Sequence, residues 1–213
     1  MQRKLSSLLL LAVFLCSAAF VFAQAAKPIQ LPTPVTEGGR PLMQVLKDRH
    51  SAREFGPGTL SPQVLSNMLW AAFGVNRPDG HRTAPSAMNW QEITIYVFTA
   101  EGVYTYDAKA NTLNAVLAGD LRAAAGVQSY VKDATVNLVF VADTTKIGKN
   151  ADSEFLTYAD VGFIAQNVYL FCASENLNAV VRAYVDKPAL AKTLNLPPTQ
   201  KIILAQSVGF PKK

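Results

Sequence analysis

The chain has 213 residues, half of them apolar, enough to bury one sizeable core and to predict a single folded domain. Its formal charge of +5 falls to +3 without residues 1–23, which hold Arg3 and Lys4 and no acid, and so mild a balance excludes nucleic acid as a partner. Two histidines and two cysteines argue against a His/Cys metal centre and against a disulfide framework.

In chain order, the first feature is an export signal. Arg3 and Lys4 precede an almost wholly apolar run over residues 5–22, and Ala23 and Ala25 offer small residues for cleavage, so residues 1–23 read as a signal peptide. That predicts a periplasmic or secreted protein. Retention of the same run as a membrane anchor stays open, since its length is near the lower limit for spanning a bilayer. Residues 24–40 carry Pro28, Pro32, Pro34, Gly38 and Gly39 with little periodicity and read as an extended linker, which leaves residues 41–213 as the domain.

A short helix is expected over residues 41–48, with Leu42, Val45 and Leu46 on one side. A second opens on Ser61 as N-cap with Pro62 in its first turn, turns Val64, Leu65, Met68, Leu69 and Ala72 inward, and ends at Gly74. After a Pro-, Gly- and Asn-rich loop over residues 75–89, residues 92–99 alternate as a strand. Residues 102–106 and 112–116 then form a hairpin around 107–111. A helix is expected over 120–131 and a buried strand over 135–142, with Val136, Leu138, Phe140 and Ala142 alternating against Val139 and Val141. The longest helix covers 153–175. It is apolar nearly all round from Val161 to Ala173, so it must be covered on every side. A strand near 179–183, a helix opened by Asp186 and Pro188, and a strand over 201–208 complete a mixed α+β order. Cys172 lies within the apolar helix and reads as packing.

Two segments carry candidate chemistry. Arg49, His50, Ser51 and Arg53 gather two guanidiniums and a hydroxyl just after the first helix, a grouping suited to an anion with a phosphate at one end. About thirty residues on, Pro85, Ser86, Asn89 and Gln91 lie in a loop that runs straight into a strand. Other constellations are weaker. Asp79, His81 and Ser86 supply the residue types of a hydrolytic triad, but crowded into one eight-residue loop they are poorly placed to face one another, and no nucleophile elbow surrounds Ser86. No Gly-rich dinucleotide loop is present.

Together, Arg49-x-Ser51-x-Arg53 and Pro85-Ser86-x-x-Asn89-x-Gln91 resemble the nitroreductase family of FMN enzymes. One branch, the azoline dehydrogenases, is also similar through Ile95-Tyr96-Val97, through residues 102–107, through Gly119-Asp120-Leu121-Arg122 and through the closing Ser207-Val208-Gly209-Phe210-Pro211. The resemblance implies a nitroreductase-like α+β fold, with a mixed or antiparallel sheet flanked by helices and the long helix central to a homodimer. It implies FMN as cofactor, with Arg49, His50, Ser51 and Arg53 at its phosphate and pyrimidine edge. Pro85, Ser86, Ala87, Asn89 and Gln91 would come from the partner subunit. Gln128 holds the place of an amide for the pyrimidine carbonyls, Ala183 and Tyr184 that of backbone N–H groups at flavin N5, and Lys212 that of a C-terminal phosphate contact. Glu92 departs from the pattern, since many relatives have proline there.

The expected activity is that of an exported FMN-dependent oxidoreductase moving a hydride through flavin N5 to or from a small organic substrate. Its electron donor is unidentified, and no protein group is expected to do the redox step. The rival reading is a flavin-fold protein without redox function, serving as a ligand-binding or scaffolding module at the cell envelope.

Overall fold

The computed structural model describes residues 28–148 and 152–213; the expected signal peptide lies outside them. At the centre stands β5, Val136–Asp143, buried on both faces for nearly its whole length. It pairs antiparallel with β2, Ile93–Phe98, on one side and with β7, Gln200–Gly209, on the other. The hairpin of β3, Gly102–Asp107, and β4, Thr112–Ala118, extends the sheet beyond β2, and β6, Asn178–Arg182, closes the far edge against β7. With β1, Ile29–Gln30, on β4, the seven strands run β1-β4-β3-β2-β5-β7-β6, every pair antiparallel. The α+β class is as expected, with the sheet resolved as antiparallel.

The alternation of β5 builds two cores. Val136, Leu138, Phe140 and Ala142 face α2, Pro62–Phe73, and α3, Ser153–Ser174, where they meet Met68, Leu69, Phe73, Val161, Ile164 and Val168. Val139 and Val141 face the other way, onto Phe98, Val103, Ile202 and, from α4, Lys187–Thr193, Leu190. Helix α2 keeps the predicted limits: the Ser61 hydroxyl accepts from Val64 N–H at 3.2 Å and the chain turns out at Gly74. Ser61→Ala is therefore expected to destabilise by about 1 kcal/mol. Urea unfolding would show a lower midpoint at unchanged slope; an unmoved midpoint would deny the cap any role.

Three segments differ from expectation. Residues 29–35, read from the sequence as part of a linker, lie against the domain. Ile29 and Gln30 pair with Leu113 and Thr112, and Pro32 O accepts from both the Ser66 hydroxyl and the Asn111 amide. The helix expected over 120–131 is instead two 3-10 turns, Arg122–Ala125 and Ser129–Lys132, separated by an extended Gly126. In α1, Leu42–Asp48, only Val45 is buried, while Leu42 and Leu46 remain exposed. Exposed apolar groups recur on α3, where Phe155, Tyr158 and Phe163 line one side; the helix is apolar all round, but one stripe is uncovered within the protomer.

Candidate functional site

Two hydrogen bonds fix the segment after α1 to the edge of the sheet. Ala52 N–H donates to Ala179 O at 3.0 Å, and the Ser51 hydroxyl lies 2.8 Å from the phenol oxygen of Tyr169 on α3. That same phenol oxygen accepts from Val181 N–H at 2.7 Å, so α3, β6 and the 49–53 segment meet at one atom. The Arg49 guanidinium lies over the Tyr169 ring, 5.2 Å from its centroid, in a cation–π contact. Arg53 is exposed. Asp48, the acid next to Arg49, is engaged by Arg40, and the exposed Glu54 next to Arg53 forms no ion pair with it. Among the described residues no carboxylate pairs with Arg49 or Arg53, so the segment that borders β6 carries two guanidiniums without counter-ions.

His50 turns back, its Nδ1 2.8 Å from Asp48 O, and lines a cavity of about 380 Å³ with Tyr169, Asn178 and Pro211. The C-terminus comes to the same place. Gly56 N–H donates to Phe210 O at 2.8 Å, and a β-carbon on Gly56 would lie 3.3 Å from Lys212 Cα, so Lys212 arrives beside the segment that carries Arg53. Ala183 and Tyr184 continue β6 beyond Arg182 and are exposed, Tyr184 to 72%.

The 85–91 loop is built on its own side chains. The Ser86 hydroxyl accepts from Gln91 N–H at 3.0 Å. The Gln91 amide donates to Gly80 O at 3.1 Å and Asn89 Oδ1 at 2.9 Å, while its oxygen accepts from Arg82 Nε at 2.9 Å. Within the protomer Gln91 is thus the internal brace of the loop, with Pro85, Met88 and Asn89 left exposed. The loop is held in a strained form, with Met88, Asn89 and Gln91 at φ of 50°, 56° and 47°. One bond ties it to α3: Ala87 N–H donates to Asp160 Oδ2 at 2.8 Å.

This places the two segments relative to each other. Asp160 and Tyr169 are nine residues apart on one helix, about 13.5 Å along its axis and about half a turn around it. The 49–53 segment and the 85–91 loop of one protomer therefore sit on opposite sides of α3. The uncovered stripe of α3 runs from Phe155 through Gly162 and Gln166 towards Tyr169, at helical spacing.

The sequence reading missed a third group. Arg182, at the end of β6, is 3% exposed and faces the side of the sheet away from α3. Its guanidinium donates to Ser207 Oγ at 3.1 Å, Ala125 O at 2.8 Å and Asn137 Oδ1 at 2.9 Å. Ser207 donates in turn to Asn137 Oδ1 at 2.6 Å, and the Asn137 amide to Val131 O at 2.9 Å. Burial without a carboxylate partner pulls the pKa of Arg182 down to about 10, and it stays charged at neutral pH. Gln128 lies on this cluster: a β-carbon on Gly126 would sit 2.0 Å from Arg182 Nη1 and 3.2 Å from Gln128 Oε1, a buried oxygen without a hydrogen bond. Gln128 is the extended residue that precedes the second 3-10 turn rather than part of the expected helix, and its side-chain oxygen lies near the buried arginine. The polar residues in β5 and β7, Asn137 and Ser207, were the available signal, since each interrupts an apolar run.

Elsewhere the side chains are structural. Asp79 and His81 pair at 2.8 Å with no bond to Ser86, and the Cys172 thiol is buried, its pKa pushed up by desolvation. Among the described residues no cluster could hold a metal ion, and no helix is long and apolar enough to cross a membrane.

Comparison with known proteins agrees with this architecture. The sequence model of the Nitroreductase family matches residues 46–210. A Methanocaldococcus jannaschii protein named as a nitroreductase is 33% identical over 159 residues, 68% of this chain and 80% of that protein. A crystal structure from Ralstonia eutropha JMP134, also described as a nitroreductase, superposes with a TM-score of 0.84 at 38% identity, over 89% of this chain and 92% of that one. A further structure, a Desulfovibrio desulfuricans protein described as a nitroreductase in complex with FMN, gives a TM-score of 0.62 at 21% identity, over 83% of this chain and 89% of that one. The chain belongs to the nitroreductase family.

Proposed function

We propose that the protein is an FMN-dependent oxidoreductase that works as a homodimer outside the cytoplasm, the FMN lying along the β6 edge with its phosphate at Arg49 and Ser51. The observation that carries this is the pair of guanidiniums, Arg49 and Arg53, left without counter-ions beside a strand edge whose neighbouring groups are already bonded. A phosphate supplies what they lack: Arg49 offers a bidentate fork and Ser51 a hydroxyl. Arg53, four residues on, faces the second electron-rich end of the ligand, where a cation favours the negative charge of a reduced ring. Ala183 and Tyr184 continue the same edge and have backbone to offer the ring.

Bound FMN supplies the redox chemistry, exchanging a hydride at N5 with a small organic substrate. The chain binds, orients and excludes water. Because the 85–91 loop lies half a turn around α3 from its own Arg49, a loop from a second subunit is needed to close the pocket over the ring. The apolar groups left bare on α1 and α3, among them Leu42, Met43, Leu46, Phe155 and Phe163, give such a partner its surface. Export follows from the charged and apolar pattern of residues 1–23 and favours an organic hydride donor or an envelope redox partner over reduced nicotinamide.

The test is purification. A yellow protein that releases FMN on heating, bleaches with dithionite and passes electrons to quinones or nitroaromatics is the expected result. A colourless protein that takes up no added FMN overturns the reading, and FMN bound without any electron transfer favours the ligand-binding rival.

A further inference from the structure

Glu92 closes the 85–91 loop where it enters β2, and its side chain is wholly buried. Neither of its carboxyl oxygens has a well-formed hydrogen bond, and the donor nearest to them is its own backbone N–H. What stands within hydrogen-bonding reach is a second carboxyl, Asp160 of α3, itself 3% exposed. Two carboxylates are both acceptors, so they bond only if one of them carries a proton. Asp160 accepts a well-formed bond from Ala87 N–H, which favours its charge, whereas Glu92 is the more deeply buried of the two and has only its own backbone N–H, in poor geometry, to stabilise a charge. The shared proton therefore resides on Glu92, which donates to Asp160.

The loop above this pair is poised to relax. Three of its residues are non-glycine residues at positive φ, a conformation that persists only when surrounding contacts over-determine it. Ala87 to Asp160 is the hydrogen bond that anchors it to α3. We propose that Glu92 and Asp160 form a proton-dependent latch on the 85–91 loop: one shared proton holds Asp160 in place for Ala87, and loss of that proton forces two buried carboxylates apart and frees the loop. The latch stands on this geometry alone; its effect on cofactor rests on the reading of the loop as the cover of the FMN site.

The sign and window follow from the charges that face the pair. Burial, the largest effect, and Asp160 from α3 raise the Glu92 pKa from its ordinary 4.5 to about 7, opposed by Glu92's own backbone N–H and, more weakly, by Lys146 in the turn after β5. Asp160 is also raised by burial, opposed by its bonds to Ala87 and Glu92. A carboxyl whose pKa is raised in the closed form favours that form fully below 4.5 and loses the contribution as pH rises to about 7, by at most about tenfold per pH unit.

The test is hydrogen exchange of the full chain without added flavin, with rates over 85–91 divided by intrinsic exchange. In the wild type the opening constant of this segment is expected to rise about tenfold or more between about pH 5 and pH 7.5 and then level off. Glu92→Gln keeps a neutral donor to Asp160 and should show a flat profile. Asp160→Asn keeps an acceptor for Ala87 and gives Glu92 a donor, and should show a weaker pH dependence than wild type, because burial still acts on Glu92. A wild-type profile without pH dependence, or the same dependence in both variants, overturns the latch. FMN titration over the same range separates the two ideas: affinity that falls along the exchange curve supports both. Affinity independent of pH overturns the role of the loop as cover of the FMN site while the exchange result decides the latch, and no FMN binding at any pH sinks the cofactor reading while the exchange result stands.

Discussion

Arg182→Ala is expected to lower the unfolding free energy by about 3–5 kcal/mol, the largest effect of any single substitution considered for this chain. Two opposed terms decide the sign. Burying a guanidinium without a carboxylate is unfavourable, as its depressed pKa records. Against that stand three charge-assisted hydrogen bonds, to Ser207, Ala125 and Asn137, each worth about 1.5–3 kcal/mol. The bonds win in sum, and removing the side chain also leaves Ala125 O without its donor and opens a cavity under the 122–132 segment. Arg182→Lys should recover little, since one ammonium on a flexible stem does not match three acceptors set around a planar fork. Denaturant unfolding decides the point: a midpoint within about 0.5 kcal/mol of wild type would mean that the network contributes nothing net.

The same residue explains where sequence reasoning stopped. Within the helix expected over 120–131, Leu121-Arg122-Ala123-Ala124-Ala125 are good helix formers in isolation. What breaks it is Gly126, which has to pass so close to Arg182 that a β-carbon would collide with Nη1, and that neighbour lies 56 residues away in sequence. Local propensity carries no trace of such a contact. Where the determinants are local, they were legible: the Ser61 and Asp186 caps, the Pro62 start, the turn between β3 and β4, and the alternation of β5 all act within a few residues.

The candidate site divides along the same line. Arg49, Ser51 and Arg53 could be picked out because the three candidate groups lie within five residues of one another. Tyr169 was missed, although it fixes Ser51, Arg49 and Val181 at once, because one tyrosine in an apolar helix reads as packing. Gln91 shows the reverse, a motif residue whose whole amide is spent inside its own loop in the protomer. Glu92 was visible as a departure from the family pattern, yet its meaning depends on Asp160 across the fold.

Arg49→Ala is expected to weaken FMN binding by about 30- to 100-fold, from the loss of a guanidinium fork on a phosphate at a partly exposed site, worth about 2–3 kcal/mol. The contact that Arg49 makes in the protein itself is with the Tyr169 ring, so the flavin-free variant should unfold within about 0.5 kcal/mol of wild type. Lysine at the same position would keep a point charge and lose the fork, and should fall between. Riboflavin provides the control that ties the effect to the phosphate rather than to the ring. It lacks the phosphate, so wild type should prefer FMN over riboflavin by a wide margin, and in Arg49→Ala that preference should collapse while riboflavin binding stays unchanged. Fluorescence quenching of each flavin gives both constants. If the substitution weakens riboflavin as much as FMN, Arg49 acts on the ring or on the shape of the loop, and the phosphate belongs elsewhere. If neither constant moves, the unpaired guanidinium beside β6 is a solvated charge and the orientation proposed for the cofactor is wrong.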